Sequence, residues 1–117
     1  MIKLIKSFKF ALQGLKENLI YERNFQLMIV VALLVIFAMF YFKVSSLEKA
    51  VLFTTIFSVL ILELFNNVVE RIMDFIQPKY DEQVKIIKDL SAAIVLIASL
   101  GAIIIGLIIF IPHFLRY

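Results

Sequence analysis

The chain has 117 residues, of which 63% are hydrophobic, and its formal net charge at pH 7 is +3. Its mean hydropathy of +1.03 exceeds what a soluble domain of this size can hide, because a small domain keeps a large share of its surface exposed. Cysteine is absent, which excludes disulfides and thiolate metal sites, and the length allows one domain, residues 1–117. We therefore expect a single membrane-embedded domain that is surrounded largely by lipid.

The first predicted element is an amphipathic helix over residues 3–18. Lysines recur every three or four residues on one side of this helix, and leucine, isoleucine and phenylalanine occupy the other side. A basic face opposite an apolar face is typical of a helix that lies in the membrane surface. A packing helix of a soluble protein is the alternative interpretation.

Three apolar segments follow, at about residues 25–42, 47–65 and 90–111, and each approaches the length that a membrane-spanning helix needs. The second segment is expected to continue as a helix to about residue 76, where Gln77-Pro78 ends it. Pro112 is expected to end the third span.

Small residues in the third span predict close contacts between helices. In lipid, glycine and alanine allow two helices to approach closely. The residues concerned are Ala98, Gly101, Ala102 and Gly106.

The lysines and arginines predict an orientation in the membrane. Nine of the twelve lie in the N-terminal segment or between the second and third spans, and three lie on the other side. Cytoplasmic segments of membrane proteins collect these residues, so we expect the N-terminus and the long loop to be cytoplasmic and the C-terminus external. The basic charge is thereby explained without a nucleic-acid partner.

Polar residues interrupt the second span at offsets of 0, 3, 4, 7 and 11, which places them on one face of a helix. Ionisable groups within a span cost about 2.5–3.5 kcal/mol on insertion scales, so a functional role is the default interpretation. Structural roles remain alternatives for Asn67, as a helix–helix hydrogen bond, and for Asp74, as a solvated residue. The stripe consists of Glu63, Asn66, Asn67, Glu70 and Asp74.

Charged residues at the start of the last helix complement this stripe. Lys85 and Lys88 share a helix face that can meet phosphate, and Asp89 adjoins them. Mg²⁺ commonly binds one or two carboxylates together with phosphate oxygens and water, and Glu22 can supply a further carboxylate. The position of Asp81 and Glu82 favours their interpretation as loop or capping residues.

The sequence contains no other familiar nucleotide-binding or catalytic motif. The three glycines are too dispersed for a phosphate-binding loop, and the single histidine, His113, is interpreted as an interfacial residue. A buried glutamate also marks ion pathways, so a small proton-coupled transporter is the rival function. A structural membrane subunit is a third possibility.

The segment from Glu63 to Asp74 resembles the signature E-x-x-N-[ST]-A-I-E-x-x-x-D of the small prokaryotic diacylglycerol kinases and undecaprenol kinases. Pro78-Lys79-Tyr80 and Lys88-Asp89 follow at the spacing of that family, and residues 22–25 resemble its E-x-N-F segment. The resemblance covers nearly the whole chain. It implies an all-α membrane protein with a surface helix and three transmembrane helices, assembled as a homotrimer in the prokaryotic cell membrane with a cytoplasmic active site.

The resemblance also implies a reaction, the Mg²⁺-dependent transfer of the γ-phosphate of ATP to the hydroxyl of a membrane lipid alcohol, undecaprenol or diacylglycerol. In this family pattern Glu63 matches the catalytic base, and Glu22 and Glu70 match the pair that binds Mg²⁺. The residues that match nucleotide contacts are Lys79, Tyr80, Asp81, Lys88 and Asp89, and the supporting residues are Asn66, Asn67 and Asp74.

The sequence departs from the family pattern at four positions. Asn67 stands where serine or threonine is usual, and Val68 replaces alanine. Asp81 replaces a frequent histidine, and Gln26 stands where arginine is common. The matched base, metal pair and lysine are all retained.

Overall fold

The computed structural model describes residues 1–116, which form four helices: α1 (Ile2–Tyr21), α2 (Arg23–Tyr41), α3 (Ser46–Ile76) and α4 (Glu82–Arg116). The predicted all-α fold is confirmed, and α2, α3 and α4 are each long and apolar enough to cross a membrane. The predicted N-terminal helix corresponds to α1. Its placement in the membrane surface and the homotrimer stay predictions.

The ends of the long helices agree only partly with the sequence analysis. Helix α3 ends at Ile76, directly before Gln77-Pro78, as expected. The prediction that Pro112 ends the last helix is wrong, because α4 continues through this residue to Arg116. Proline removes one backbone hydrogen bond near the end of the helix, a loss that membrane helices can accommodate.

The turn between α2 and α3 is fixed by a capping box. Lys43 adopts a left-handed conformation with φ of 52°, and Ser45 then caps α3. The Ser45 hydroxyl accepts a hydrogen bond from the Glu48 amide at 3.1 Å, and the Glu48 carboxylate accepts one from the Ser45 amide at 2.9 Å. This reciprocal pair satisfies amides that the first turn of a helix leaves without partners.

Helices α3 and α4 pack against each other as an antiparallel pair, α2 packs on α3, and α1 packs on α2. Near the α2–α3 turn, a small cluster of buried apolar side chains forms the core: Met39, Val44, Leu52 and Ile109. At this end His113 Nε2 lies 3.0 Å from Glu48 Oε1, so His113 joins α4 to the start of α3. Most other large apolar side chains are exposed on the chain, as suits a protein surrounded by lipid or by other copies.

The small residues of α4 do not make a close helix contact within this chain. A Cβ added to Gly101 or Gly106 would meet no heavy atom of another element within 4 Å among the described residues. Gly106 and Ala102 instead line an apolar groove of about 510 Å³ formed by α2, α3 and α4. The close contact predicted from these residues is therefore not made inside a single chain.

Candidate active site

The buried polar side chains of residues 1–116 come from α1, α3 and α4. Each of them is at most 6% exposed, and together they lie toward the end of the bundle that is opposite the apolar cluster. They are Asn18 on α1, Glu63, Asn66 and Asn67 on α3, and Ser91 on α4. The polar stripe of α3 thus faces into the bundle, where polar groups need partners.

Two further carboxylates, Glu70 and Glu22, lie near Glu63 at this stripe. Glu63 is 2% exposed, and the carboxylates of Glu70 and Glu22 lie close enough to interact with it electrostatically. Glu63 and Glu70 are two turns apart on α3, whereas Glu22 occupies the extended residue between α1 and α2. The structure therefore brings together the predicted base and the predicted metal pair.

Glu22 and Glu70 retain free carboxylate oxygens that a metal ion could use. Within residues 1–116, no group of three or more His, Cys, Asp or Glu side chains is arranged to hold a metal ion alone. Glu70 accepts a hydrogen bond from Asn66 Nδ2 at 3.4 Å, and Glu22 accepts one from Arg71 at 3.4 Å, so each carboxylate keeps free lone pairs. Mg²⁺ commonly binds one or two such carboxylates when phosphate oxygens and water complete its coordination.

The side-chain amide of Asn66 has a hydrogen-bonded donor and an acceptor without a partner within residues 1–116. Its Nδ2 group donates to Glu70, while its buried Oδ1 has no hydrogen-bond partner within residues 1–116. A buried acceptor without a partner is costly, which suggests that a donor from outside the chain completes it. The hydroxyl of a substrate is one such donor.

Arg71 links α3 to the corner between α1 and α2. Its guanidinium lies 3.4 Å from Glu22 and 3.8 Å from Glu17. In the sequence, Arg71 is counted only among the basic residues that predict the cytoplasmic side of the membrane. Because the guanidinium and Glu17 are about half exposed, these ion pairs add little stability, and their main effect is on the orientation of Glu22.

Asn18 is a member of the buried set that the sequence analysis missed. Its Oδ1 accepts a hydrogen bond from Asn67 Nδ2 at 3.3 Å, across 49 residues of sequence. The signal was a polar residue on the apolar side of α1, three residues after Leu15 and seven after Ala11. Asn67 thus makes a helix–helix hydrogen bond, which was the alternative interpretation of this residue.

An open cleft of about 260 Å³ lies where α3 ends and α4 begins. All five residues that were matched to nucleotide contacts line it, together with Asp74 and Lys85: Lys79, Tyr80, Asp81, Lys88 and Asp89. Asp74 lies 11 residues after Glu63 on α3, a separation of about 16 Å along the helix axis. The cleft and Glu63 therefore lie along the same helix.

Ion pairs and a cap organise the walls of the cleft. Lys88 Nζ lies 2.7 Å from Asp74 Oδ1 on the facing helix, and Lys85 Nζ lies 2.7 Å from Asp89 Oδ2 on its own helix. Asp81 Oδ1 accepts hydrogen bonds from the amides of Gln83 at 2.9 Å and Val84 at 3.2 Å. The interpretation of Asp81 as a capping residue is confirmed, and its contact with nucleotide stays a prediction.

Residues 9–110 match the model of a protein family described as prokaryotic diacylglycerol kinase. The chain is 34% identical over 110 residues to an undecaprenol kinase of Bacillus subtilis, an alignment that covers 94% of this chain and 89% of the relative. It is 34% identical to a diacylglycerol kinase of Synechocystis over 96% of this chain and 65% of that relative. It is 30% identical to a diacylglycerol kinase of Escherichia coli over 96% of this chain and 92% of the relative.

Proposed function

Because the chain belongs to the prokaryotic diacylglycerol kinase family and is a lipid kinase, we propose that it transfers the γ-phosphate of ATP to the hydroxyl of a membrane lipid alcohol, with Mg²⁺ bound to the nucleotide. The proposed acceptor is undecaprenol or diacylglycerol, the lipids that the names of its relatives contain. The observation that carries the proposal is the burial of Glu63 beside Glu22 and Glu70, on the helix that also forms the cleft.

The nucleotide would occupy the cleft between the end of α3 and the start of α4. Lys79 and Tyr80 lie on the loop that borders it, and Lys88 projects from α4 toward α3, where Asp74 now balances its charge. Phosphoryl transfer depends mainly on positioning and charge neutralisation, so the lysine side chain at this position suits the phosphates. The phosphates would then extend along α3 toward Glu63.

Glu22 and Glu70 would hold the Mg²⁺ that accompanies ATP, and its chemistry there is to neutralise phosphate charge. Glu70 is held by Asn66 and Glu22 by Arg71, so both carboxylates are oriented before the nucleotide binds. Pre-orientation reduces the entropy that must be lost when the reactants meet.

Glu63 would accept the proton of the lipid hydroxyl as the phosphate is transferred. A general base must lie within hydrogen-bond reach of the proton it removes, and the buried Asn66 Oδ1 provides a second polar contact beside it. The turns of α3 that precede Glu63 are apolar, so a lipid can bring its hydroxyl to this depth while its chain stays in the bilayer. The acceptor would enter from the membrane and ATP from the cytoplasm.

The proposed location is the prokaryotic cell membrane, with the N-terminus and the cleft facing the cytoplasm. In its support, Arg71 in the last two turns of α3 contacts Glu22 at the α1–α2 corner, which places that corner toward the same end of the bundle as the α3–α4 loop. Cytoplasmic ATP could reach a cleft at that end. No observation specifically favours the proton-coupled transporter or the structural subunit.

The test is phosphorylation of defined lipids by the purified chain in micelles, with γ-labelled ATP, Mg²⁺ and either undecaprenol or diacylglycerol. We expect label in at least one lipid, and we expect Glu63→Gln to lower the rate at least 100-fold, the usual contribution of a general base. Glu48→Gln is the matched control, because it makes the same change on the same helix and can retain the capping box.

The control should keep the wild-type rate within a factor of three. Absence of label in both lipids, with the protein folded and embedded in lipid, would overturn the proposed reaction. Equal losses in Glu63→Gln and Glu48→Gln would overturn the role of Glu63 as the base.

A further inference from the structure

Helix α1 is anchored to the bundle by a polar contact. Of its twenty residues, Asn18 alone is buried, and it is 5% exposed. Asn18 Oδ1 accepts the hydrogen bond from Asn67 Nδ2 of α3 at 3.3 Å, whereas its own Nδ2 has no partner within residues 1–116. The bond to Asn67 is therefore the interaction through which the buried part of α1 recognises α3.

The backbone of Asn18 continues this link to Glu22. The Glu22 amide donates to the Asn18 carbonyl at 2.9 Å, which closes the last turn of α1. Gln26 of α2 then donates from its side chain to the carbonyls of Leu19 at 2.8 Å and Ile20 at 3.1 Å. Hydrogen bonds thus hold the corner at Glu22 to the end of α1 and to α2. A shift of Asn18 would therefore also shift Glu22.

On the other side of the bond, Asn67 lies between two of the carboxylates. It is one turn from Glu63 and less than one turn from Glu70 on α3, and it is 2% exposed. The signature that this segment resembles has serine or threonine at this position. The longer amide side chain of Asn67 reaches Asn18, so the departure has a specific partner in this chain.

We propose that Asn18 is a positioning residue, whose amide contact with Asn67 sets the separation between Glu22 on the α1–α2 corner and Glu63 and Glu70 on α3. The inference rests on the proposed function, in which Glu22 and Glu70 share the metal that accompanies ATP. Asn18 itself touches neither nucleotide nor lipid. Arg71 supports the same arrangement from the exposed side, but its partly exposed ion pairs constrain Glu22 less than a buried bond does.

The test combines metal binding with the mobility of α1. Asn18→Leu removes the amide from a buried position while keeping a branched side chain of the same number of heavy atoms, Asn67→Ala removes the other partner, and the double variant removes both. Binding of Mn²⁺ in the presence of a non-hydrolysable ATP analogue is measured by electron paramagnetic resonance. The chain has no cysteine, so a spin label on Lys16→Cys reports the mobility of α1 alone.

We expect each single variant to weaken Mn²⁺ binding about 5- to 10-fold, which is the loss of one buried hydrogen bond, and to increase the mobility of the label. The double variant should be no weaker than the weaker single variant, because both changes remove one shared contact. Gln13→Leu, an exposed amide on the same helix, is the matched control and should leave both measurements unchanged.

Unchanged Mn²⁺ affinity in folded Asn18→Leu and Asn67→Ala would overturn the proposal, as would additive losses in the double variant. If these variants fail to fold, Asn67→Ser decides alone: serine is usual in the family signature at this position but is too short to reach Asn18, so unchanged Mn²⁺ affinity in that folded variant contradicts the proposal. Failure of the wild-type chain to phosphorylate lipid would overturn the proposed function. The Mn²⁺ and label measurements do not use lipid phosphorylation, so they report on the positioning role separately.

Discussion

Two lysines one turn apart on α4 differ in what holds them. Lys85 pairs with Asp89 of its own helix at 2.7 Å, and its side chain is 59% exposed. Lys88 pairs with Asp74 of α3 at the same distance but is 34% exposed, so it lies further between the helices. The family pattern matches Lys88 to a phosphate contact. In the structure Lys88 extends toward α3, whereas Lys85 pairs within its own helix.

We predict that Lys88→Gln raises the KM for ATP at least tenfold, because a cation facing the phosphates is lost. Lys85→Gln should change it less than threefold, since that ammonium is occupied within its own helix. Steady-state kinetics with varied ATP at saturating lipid measures both variants. Equal increases in the KM for ATP would contradict a specific role of Lys88 and would indicate that both lysines contribute to a general positive charge in the cleft.

At the residue scale, the sequence identified the members of the site on α3 and could not identify their partners. Glu63, Asn66 and Asn67 follow from helical spacing, because polar residues in a span must face away from lipid. Asn18 could not be found in this way, since its role depends on which part of α1 meets α3. The cap formed by Asp81 was readable from its position just before α4.

At the scale of elements, Glu48 connects two helix ends through one carboxylate oxygen. Its Oε1 accepts the Ser45 amide and also lies 3.0 Å from His113 Nε2. Ser45-x-x-Glu48 is a recognisable capping pattern, whereas the contact with His113 joins residues 65 apart in sequence. The existence of α1 to α4 was therefore predictable, but their exact ends and the path of α4 beyond Pro112 were not.

We predict that Glu48→Ala lowers the stability by about 1–2 kcal/mol, because both the cap and the histidine contact are lost. Ser45→Ala and His113→Ala should each cost less, since each removes one of the two interactions. Thermal unfolding in detergent, followed by circular dichroism, ranks the three variants. A Glu48→Ala midpoint equal to that of Ser45→Ala would exclude a contribution from His113.

At the scale of the whole molecule, one chain leaves most of its apolar surface uncovered. The apolar groove between α2, α3 and α4 includes Ala102 and Gly106, and nothing in the described chain fills the space above Gly106. The resemblance implied a homotrimer, which would place a helix of another copy against such small residues. Sequence alone could not show that these residues remain open within the chain, since that depends on the packing of α3 against α4.

We predict that native mass spectrometry in mild detergent finds the wild-type chain as a trimer, and that Gly106→Leu shifts it toward smaller species. A leucine would occupy the space that a neighbouring helix needs, whereas Gly106→Ala adds one methyl group and should keep the trimer. A monomeric wild-type chain would contradict the homotrimer. A trimer that tolerates leucine would place the interface elsewhere.

The burial of Glu63 has a consequence for how the enzyme treats water. A phosphoryl group can pass to any hydroxyl that a base activates, and water is by far the most abundant hydroxyl at a membrane surface. Glu63 is only 2% exposed, so bulk water has little access to it, and under the proposed reaction the lipid must bring its hydroxyl there by binding. Under the proposed reaction, access to Glu63 is therefore what discriminates between phosphorylation and hydrolysis, and ATP stays intact until a lipid arrives.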